Sequence, residues 1–250
     1  MQSLSDHTVV VAGGTGNVGP FVVRALLERQ ATVVVPSRSE EKLGGLREYL
    51  SRHVGTTGLG RLRTFVGNLS DETEATGLKQ RITEEAGTPG AVVASLGNFV
   101  TTPSILDASK DDLQQALDAY LSTNFVVART FLPALKESAG TYVLLQGPLA
   151  FELYPESGAD LISIATAGQH MLFRALAQEL EETPARVVEL VNYAFIRDRQ
   201  AQPGSELPGE AVGAFAAYLL YDVGEEVHGQ SIHLRSLEQL AEVGLDTENL

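Results

Sequence analysis

The stretch VVVAGGTGNVGPFVVRALLE, residues 9–28, decides how the rest of the chain is read. A short β-branched run ends in glycines, and a helical pattern of apolar residues opens directly after them. Gly13, Gly16 and Gly19 stand three apart at that junction. Lacking Cβ atoms, such a loop turns sharply and lets an anion come close to its backbone. The helix behind it offers free N–H groups and the positive end of its dipole, so a pyrophosphate is the fitting ligand. Thr15, Asn17 and Val18 fill the intervals and complete the candidate cradle. The alternative is a tight strand-to-helix turn that binds nothing.

Outward from this stretch, short apolar runs alternate with helical patterns. Strands are expected at 7–12, 31–37, 61–68, 90–97, 140–150, 185–195 and 229–235. Helices are expected at 18–30, 39–53, 70–87, within 110–137, at 161–180 and at 209–221. Ser39, and Ser70 or Asp71, followed by acids, mark two helix starts. Near-continuous apolar strands separated by helices imply an α/β fold. It is a single Rossmann-type, doubly wound parallel sheet of about seven strands, with helices on both faces. No repeat or long linker divides the chain, so residues 1–250 read as one domain. The polar, Pro- and Gly-containing segment RDRQAQPGSELPGE, 197–210, is either a mobile lid or an ordinary surface excursion.

The length of 250 residues suits one full core. A formal net charge of −14 repels nucleic acid and anionic membrane, which removes both as partners, and its plain consequence is solubility. The absence of cysteine excludes disulfides and thiolate chemistry. The five histidines have no metal-ligand spacing, so no metal is expected. The N-terminal residues lack a basic start, and no apolar run approaches the roughly 18 residues of a membrane span, so a cytoplasmic location is expected.

The second strand runs into VVVPSRSEEKL, residues 33–43. An NAD-selective site places an acid here to accept from the ribose 2′-hydroxyl. This chain has Ser37 and then Arg38. A guanidinium can pair with a 2′-phosphate, which favours NADP(H) over NAD(H). The alternative is a solvated arginine at a helix start.

Several further motifs fit one pattern: VGNLSD at 66–71, ASLGNF at 94–99, YLSTNFVVARTFLPALKE at 120–137 and HGQSIHL at 228–234. With GGTGNVG at 13–19, they make the chain resemble the short-chain dehydrogenase/reductase family along almost its whole length. The resemblance implies that Asn68 and Leu69 hold the adenine and that Ser95, Leu96 and Gly97 replace the family's Asn-Ala-Gly. It also implies that Ile196 meets the nicotinamide carboxamide and that Asp198 stands where a small hydroxyl usually faces the phosphates. A carboxylate there is repulsive unless Arg197 or Arg199 offsets it. In family members a tyrosine exchanges the substrate proton, a lysine one turn later tunes it, a serine orients the carbonyl and an asparagine completes the relay. Aligned without gaps on RALAQEL, 174–180, the tyrosine position falls on Ile162 and the lysine position on Thr166. The serine position falls on Gly147 and the asparagine position on Tyr120. Isoleucine cannot transfer a proton, and general acid–base help is commonly worth roughly 10²–10⁴-fold. The helix 161–180 contains no Tyr or Lys to substitute.

The remaining candidates for the chemistry are Tyr120, Gln146, Tyr154 and His170. Tyr154 reads as a rim tyrosine, His170 as a packed or interface histidine, and Tyr120 as a side chain that fills and closes the vacated pocket. Leu161, Ile164, Ala165, Gly168, Met171, Leu172 and Ala175 form an apolar stripe. The resemblance implies that this helix pairs across a two-fold axis in a homodimer or homotetramer; packing onto the sheet would also need a stripe. Three functions stay open. One is an NADP(H)-binding protein with a degenerate site, responsive to cofactor or scaffolding, with room for a small-molecule ligand. The second is an oxidoreductase with a non-standard proton donor. The third is an interaction module without nucleotide.

Overall fold

Runs of valine without a charged break make strands that need cover on both faces. In the computed structural model, which describes residues 4–99, 101–102, 104–154, 157–202, 205 and 207–247, helices supply that cover. The first half runs β1 (Thr8–Ala12), α1 (Gly19–Glu28), β2 (Thr32–Ser37), α2 (Glu40–Ser51), α3 (Thr56–Leu59), β3 (Leu62–Val66), α4 (Glu72–Ala86) and β4 (Ala91–Ala94). The second runs α5 (Lys110–Leu117), α6 (Thr123–Ser138), β5 (Thr141–Gln146), α7 (Asp160–Leu180), β6 (Arg186–Asn192), β7 (Ile196–Arg197), β8 (Gln200–Ala201), α8 (Gly209–Tyr221), β9 (Ser231–Leu234) and α9 (Glu238–Glu242).

Seven strands form one parallel sheet in the order β3-β2-β1-β4-β5-β6-β9, as the alternation of elements predicts. Val9, Val11, Val33 and Val35 pack on one face against α1, α2 and α8. Val10, Ala12, Val34 and Val92 pack on the other against α4, α6 and α7. The chain reverses direction across the sheet between β1 and β4, and ligands of such sheets bind at the carboxyl ends of strands flanking that switch.

Local chemistry sets the helix starts. Ser39 Oγ accepts from the Lys42 N–H at 3.2 Å, and Asp71, rather than Ser70, caps α4 through the N–H groups of Thr73 and Glu74. The helix expected within 110–137 is in fact two, joined by a π-helical turn at Asp118–Ser122. That turn widens the backbone where the site lies, and π-bulges concentrate at such places. The apolar stripe of α7 also divides. Leu161 and Ala165 are buried beside Ala116 of α5, whereas Ile164 and Met171 face outward. Of the expected lid at 197–210, residues 203, 204 and 206 lie outside the described residues; its start is the hairpin β7–β8.

Helices α1 and α8 meet at glycine. A Cβ on Gly213 would sit 2.3 Å from the Phe21 carbonyl oxygen, whereas one on Gly44, on the exposed face of α2, would meet nothing within 4 Å. Gly213→Ala is expected to destabilise the fold by about 1–3 kcal/mol through overpacking. Gly44→Ala is expected to stabilise it by about 0.5–1 kcal/mol through helix propensity. Urea unfolding midpoints moving the same way in both variants would contradict this account.

Candidate active site

The turn after β1 is built from backbone approaches that exclude side chains. Gly13 has φ +84°, and a Cβ on it would lie 2.0 Å from the Ser95 carbonyl oxygen. A Cβ on Gly19 would lie 2.2 Å from the Gly13 carbonyl oxygen. The Gly16 N–H closes the turn on the Gly13 carbonyl at 2.9 Å. Helix α1 then starts at Gly19, with Val18 as its cap residue, Pro20 in the first turn, no side-chain cap and no acid in that turn. No side chain therefore occupies the start of this helix, although Pro20 has no N–H and that of Phe21 bonds the Val18 carbonyl at 3.1 Å. Thr15 Oγ1 lies 3.4 Å from Ser37 Oγ, joining this loop to the end of β2. Arg38 beside it is exposed, and no acid pairs with it among the described residues.

At the end of β3, Asn68 Oδ1 accepts from the N–H of Ser70 at 3.1 Å and from its hydroxyl at 2.7 Å. The acceptor of Asn68 is thus engaged within its own turn, and its amide donor is what it can offer a ligand. Leu69 is buried in the core beneath. On the other wall, Ser95 continues β4 by donating its N–H to Ala12 O at 2.9 Å.

The hairpin β7–β8 reaches across from the far side. Its turn residues Asp198 and Arg199 have φ +50° and +62°. The Asp198 N–H donates to Asn17 Oδ1 at 3.2 Å. Arg199 donates to Gly45 O at 3.0 Å and lies over the Tyr49 ring, so it is anchored on α2. Two non-glycine residues in left-handed conformation are costly, and these contacts with the turn after β1 and with α2 offset that strain. Ile196, at the hairpin's start, is buried.

Of the positions matched to the family's catalytic residues, Gly147 follows β5 with open space where a side chain would project. Ile162 is buried in the first turn of α7. Thr166 is buried too, and its hydroxyl donates to the Ile162 carbonyl at 2.8 Å. Tyr120, in the π turn, lies against Gly97, where a Cβ would come within 2.3 Å of its ring, and donates to Asn98 O at 3.1 Å. Burial pushes its phenol up to about 12. One turn on, Asn124 is fully buried and donates Nδ2 to Tyr120 O at 2.7 Å. Tyr154 is exposed on the rim, its hydroxyl donating to Glu152 at 3.1 Å.

Behind α7 lies a polar cluster whose centre the sequence reading did not single out. Glu189, in the middle of β6, is fully buried. Gln146 Nε2 reaches it at 2.5 Å, His170 Nδ1 lies 2.8 Å from its other oxygen, and the Ser231 hydroxyl donates to it as well. A buried carboxylate persists only with such partners. Further out, Tyr193 donates to Glu152 at 2.8 Å, under the guanidinium of Arg235 at 3.9 Å from its ring centroid. The signal for the inner cluster was a lone acid inside an otherwise apolar parallel strand.

The raised phenol of Tyr120 predicts a pH dependence. It keeps its proton after the unfolded chain has lost its own near 10, so its contribution is full below that value and is lost as pH rises towards 12. Tyr120→Phe is expected to lessen the alkaline loss of stability by about 2 kcal/mol. Parallel unfolding free energies for both proteins above about pH 10 would refute the assignment.

The family model described as enoyl-(acyl carrier protein) reductase matches residues 14–209. An oxidoreductase of Staphylococcus aureus strain USA300, described as uncharacterised, is 24% identical over 191 residues, covering 76% of this chain and 78% of that protein. The structure of a short-chain dehydrogenase/reductase from Mycobacterium ulcerans superimposes with a TM-score of 0.81 at 21% identity, over 93% of this chain and 89% of that one. The NADPH-bound structure of a short-chain oxidoreductase from Pseudomonas aeruginosa PAO1, described as containing an atypical catalytic centre, has a TM-score of 0.81 at 20% identity, over 94% and 97%. A match across most of the chain, joined to the sheet order and the glycine turn, places the protein in the short-chain dehydrogenase/reductase family.

Proposed function

We propose that the chain is an NADP(H)-binding member of this family whose site has lost the usual proton donors, and that it acts as a cofactor-responsive or scaffolding protein. The observation behind this reading is a glycine turn whose close backbone approaches leave no room for Cβ atoms, in a chain that carries Ile162, Thr166, Gly147 and Tyr120 at the positions matched to the family's proton-transfer residues. Gly13, Gly16 and Gly19 with Thr15, Asn17 and Val18 would take the pyrophosphate at the start of α1. Ser37 and Arg38 would face the ribose 2′ position, Asn68 with Leu69 and the Ser95–Gly97 turn the adenosine, and Ile196 the carboxamide. The amide donor of Asn68 suits an adenine ring nitrogen, which is an acceptor. The cofactor, when bound, supplies a hydride equivalent.

The absence of an acid at the end of β2 and the exposed guanidinium of Arg38 support NADP(H), as does the NADPH held by the Pseudomonas aeruginosa protein. That protein's atypical centre also gives weight to a second reading, an oxidoreductase with a non-standard donor or with a substrate, such as a quinone or activated alkene, that needs less acid help. For assembly we favour a homodimer or homotetramer through α6 and α7, which expose Phe125, Ile164 and Met171. No described helix is long and apolar enough to cross a membrane.

Calorimetric titration of the purified chain tests the first reading. NADPH is expected to bind in the micromolar range, with NADH at least tenfold weaker, a difference of about 1.4 kcal/mol or more. Arg38→Glu should remove the preference, Gly13→Ala should abolish both titrations, and Asp198→Asn should tighten NADPH by relieving repulsion. Binding of neither dinucleotide would leave the chain as an interaction module. NADPH-dependent turnover of a carbonyl or quinone panel, lost in Gly13→Ala, would select the second reading.

A further inference from the structure

The layer between the sheet and helices α6 and α7 changes character along its length. Its lower part is apolar: Val127, Ala128 and Phe131 of α6 meet Phe173 of α7 over Tyr142 and Leu144 of β5 and Val187 of β6. One helical turn nearer the starts of these helices, Asn124 stands in line with Val127 and Ala128, and Gln169 in line with Phe173. Two residues further along each strand, on the same face, Gln146 follows Leu144 and Glu189 follows Val187. These four polar side chains make one tier, between the apolar layer and the π turn at Asp118–Ser122.

Asn124 and Gln169 are fully buried, and Gln146 is 5% exposed. Glu189 is satisfied by Gln146, His170 and the Ser231 hydroxyl. The three amides are not. Asn124 gives its Nδ2 to the Tyr120 carbonyl at 2.7 Å, and Gln146 gives its Nε2 to Glu189 at 2.5 Å. Asn124 Oδ1, Gln146 Oε1 and both Oε1 and Nε2 of Gln169 have no hydrogen-bond partner among the described residues. The Thr166 hydroxyl, one turn before Gln169 on the buried face of α7, is committed to the carbonyls of Ile162 and Ser163. Burying amides without partners is unfavourable, and buried polar groups are as a rule paired with protein or with ordered water. Three acceptors and one donor need a molecule that both gives and takes protons in hydrogen bonds. Water does so, and buried waters are typically held by roughly three such groups.

We infer that Asn124, Gln146 and Gln169 form an internal binding site for ordered water, which bridges α6 and α7 to β5. Asn124 also holds the Tyr120 carbonyl, so the water ties the π turn to the neighbouring helix and strand. The site is independent of whether a dinucleotide binds in the crevice.

Measurements on the full chain test this. A crystal structure should place a water within about 2.7–3.2 Å of polar atoms of at least two of the three amides. In isotope-labelled protein, the side-chain amide protons of Gln169 should cross-relax directly with water, with the sign that a long-resident water gives. Gln169→Met keeps the length of the side chain and removes both polar ends. It should lower the thermal midpoint by roughly 3–10 °C, because the remaining acceptors lose a partner of their water. Amides bonded directly to one another, with no water in the tier, would overturn the inference. So would a midpoint that holds or rises in Gln169→Met, since removing an amide that has no partner relieves a cost. If Gln169→Met does not fold, the crystal structure and the cross-relaxation of the unaltered chain decide between these outcomes.

Discussion

The carbonyl of Ser95 occupies the space where Gly13 would carry a side chain, and the crevice depends on that one approach. It brings the end of β4 against the turn after β1, at the point where the sheet reverses its winding. Gly19 repeats the device one turn on by tucking the start of α1 beneath the Gly13 carbonyl. Three backbone segments are thereby held closer than any side chain allows. Beside that turn the hydroxyls of Thr15 and Ser37 come within 3.4 Å of each other.

In the reading proposed above, this turn serves binding, and the positions matched to the family's catalytic residues do not move protons. The Thr166 hydroxyl is engaged on its own helix, Ile162 is packed, and the Tyr120 ring covers Gly97 with its phenol held neutral by burial. The groups that do carry protons sit elsewhere. His170 is bound to Glu189 behind α7, and Tyr193, Glu152 and Arg235 tie the rim together. Each satisfies a neighbour, so in this structure they work to hold loops and strands in place.

Legibility followed sequence distance. The strand and helix order was readable because burial on a sheet imposes its period on adjacent residues, and the valine runs of β1, β2 and β4 carry that period openly. Asp71 and Ser39 were readable as helix starts because a cap acts within three residues. The π turn was not, since Asp118–Ser122 has ordinary helix formers and its extra residue is accommodated by packing against α7. Nor was the division of the α7 stripe, because apolar positions show a buried face without showing which neighbour buries it. Glu189 looked like a blemish in a strand, and its partners come from α7, β5 and β9.

The sequence by itself determined the family, the doubly wound sheet and the glycine turn. All of these rest on local periodicity or on backbone conformations that only particular residues adopt. It also determined that no tyrosine–lysine pair could arise on α7, since that helix has neither residue. Only the tertiary structure decided where the remaining polar groups went: Asp198 onto Asn17, Arg199 onto Gly45, Tyr120 onto Gly97, and His170 onto Glu189. Such pairs join residues from nineteen to almost two hundred positions apart. Strand register and helix placement bring them together, and no short-range pattern records either.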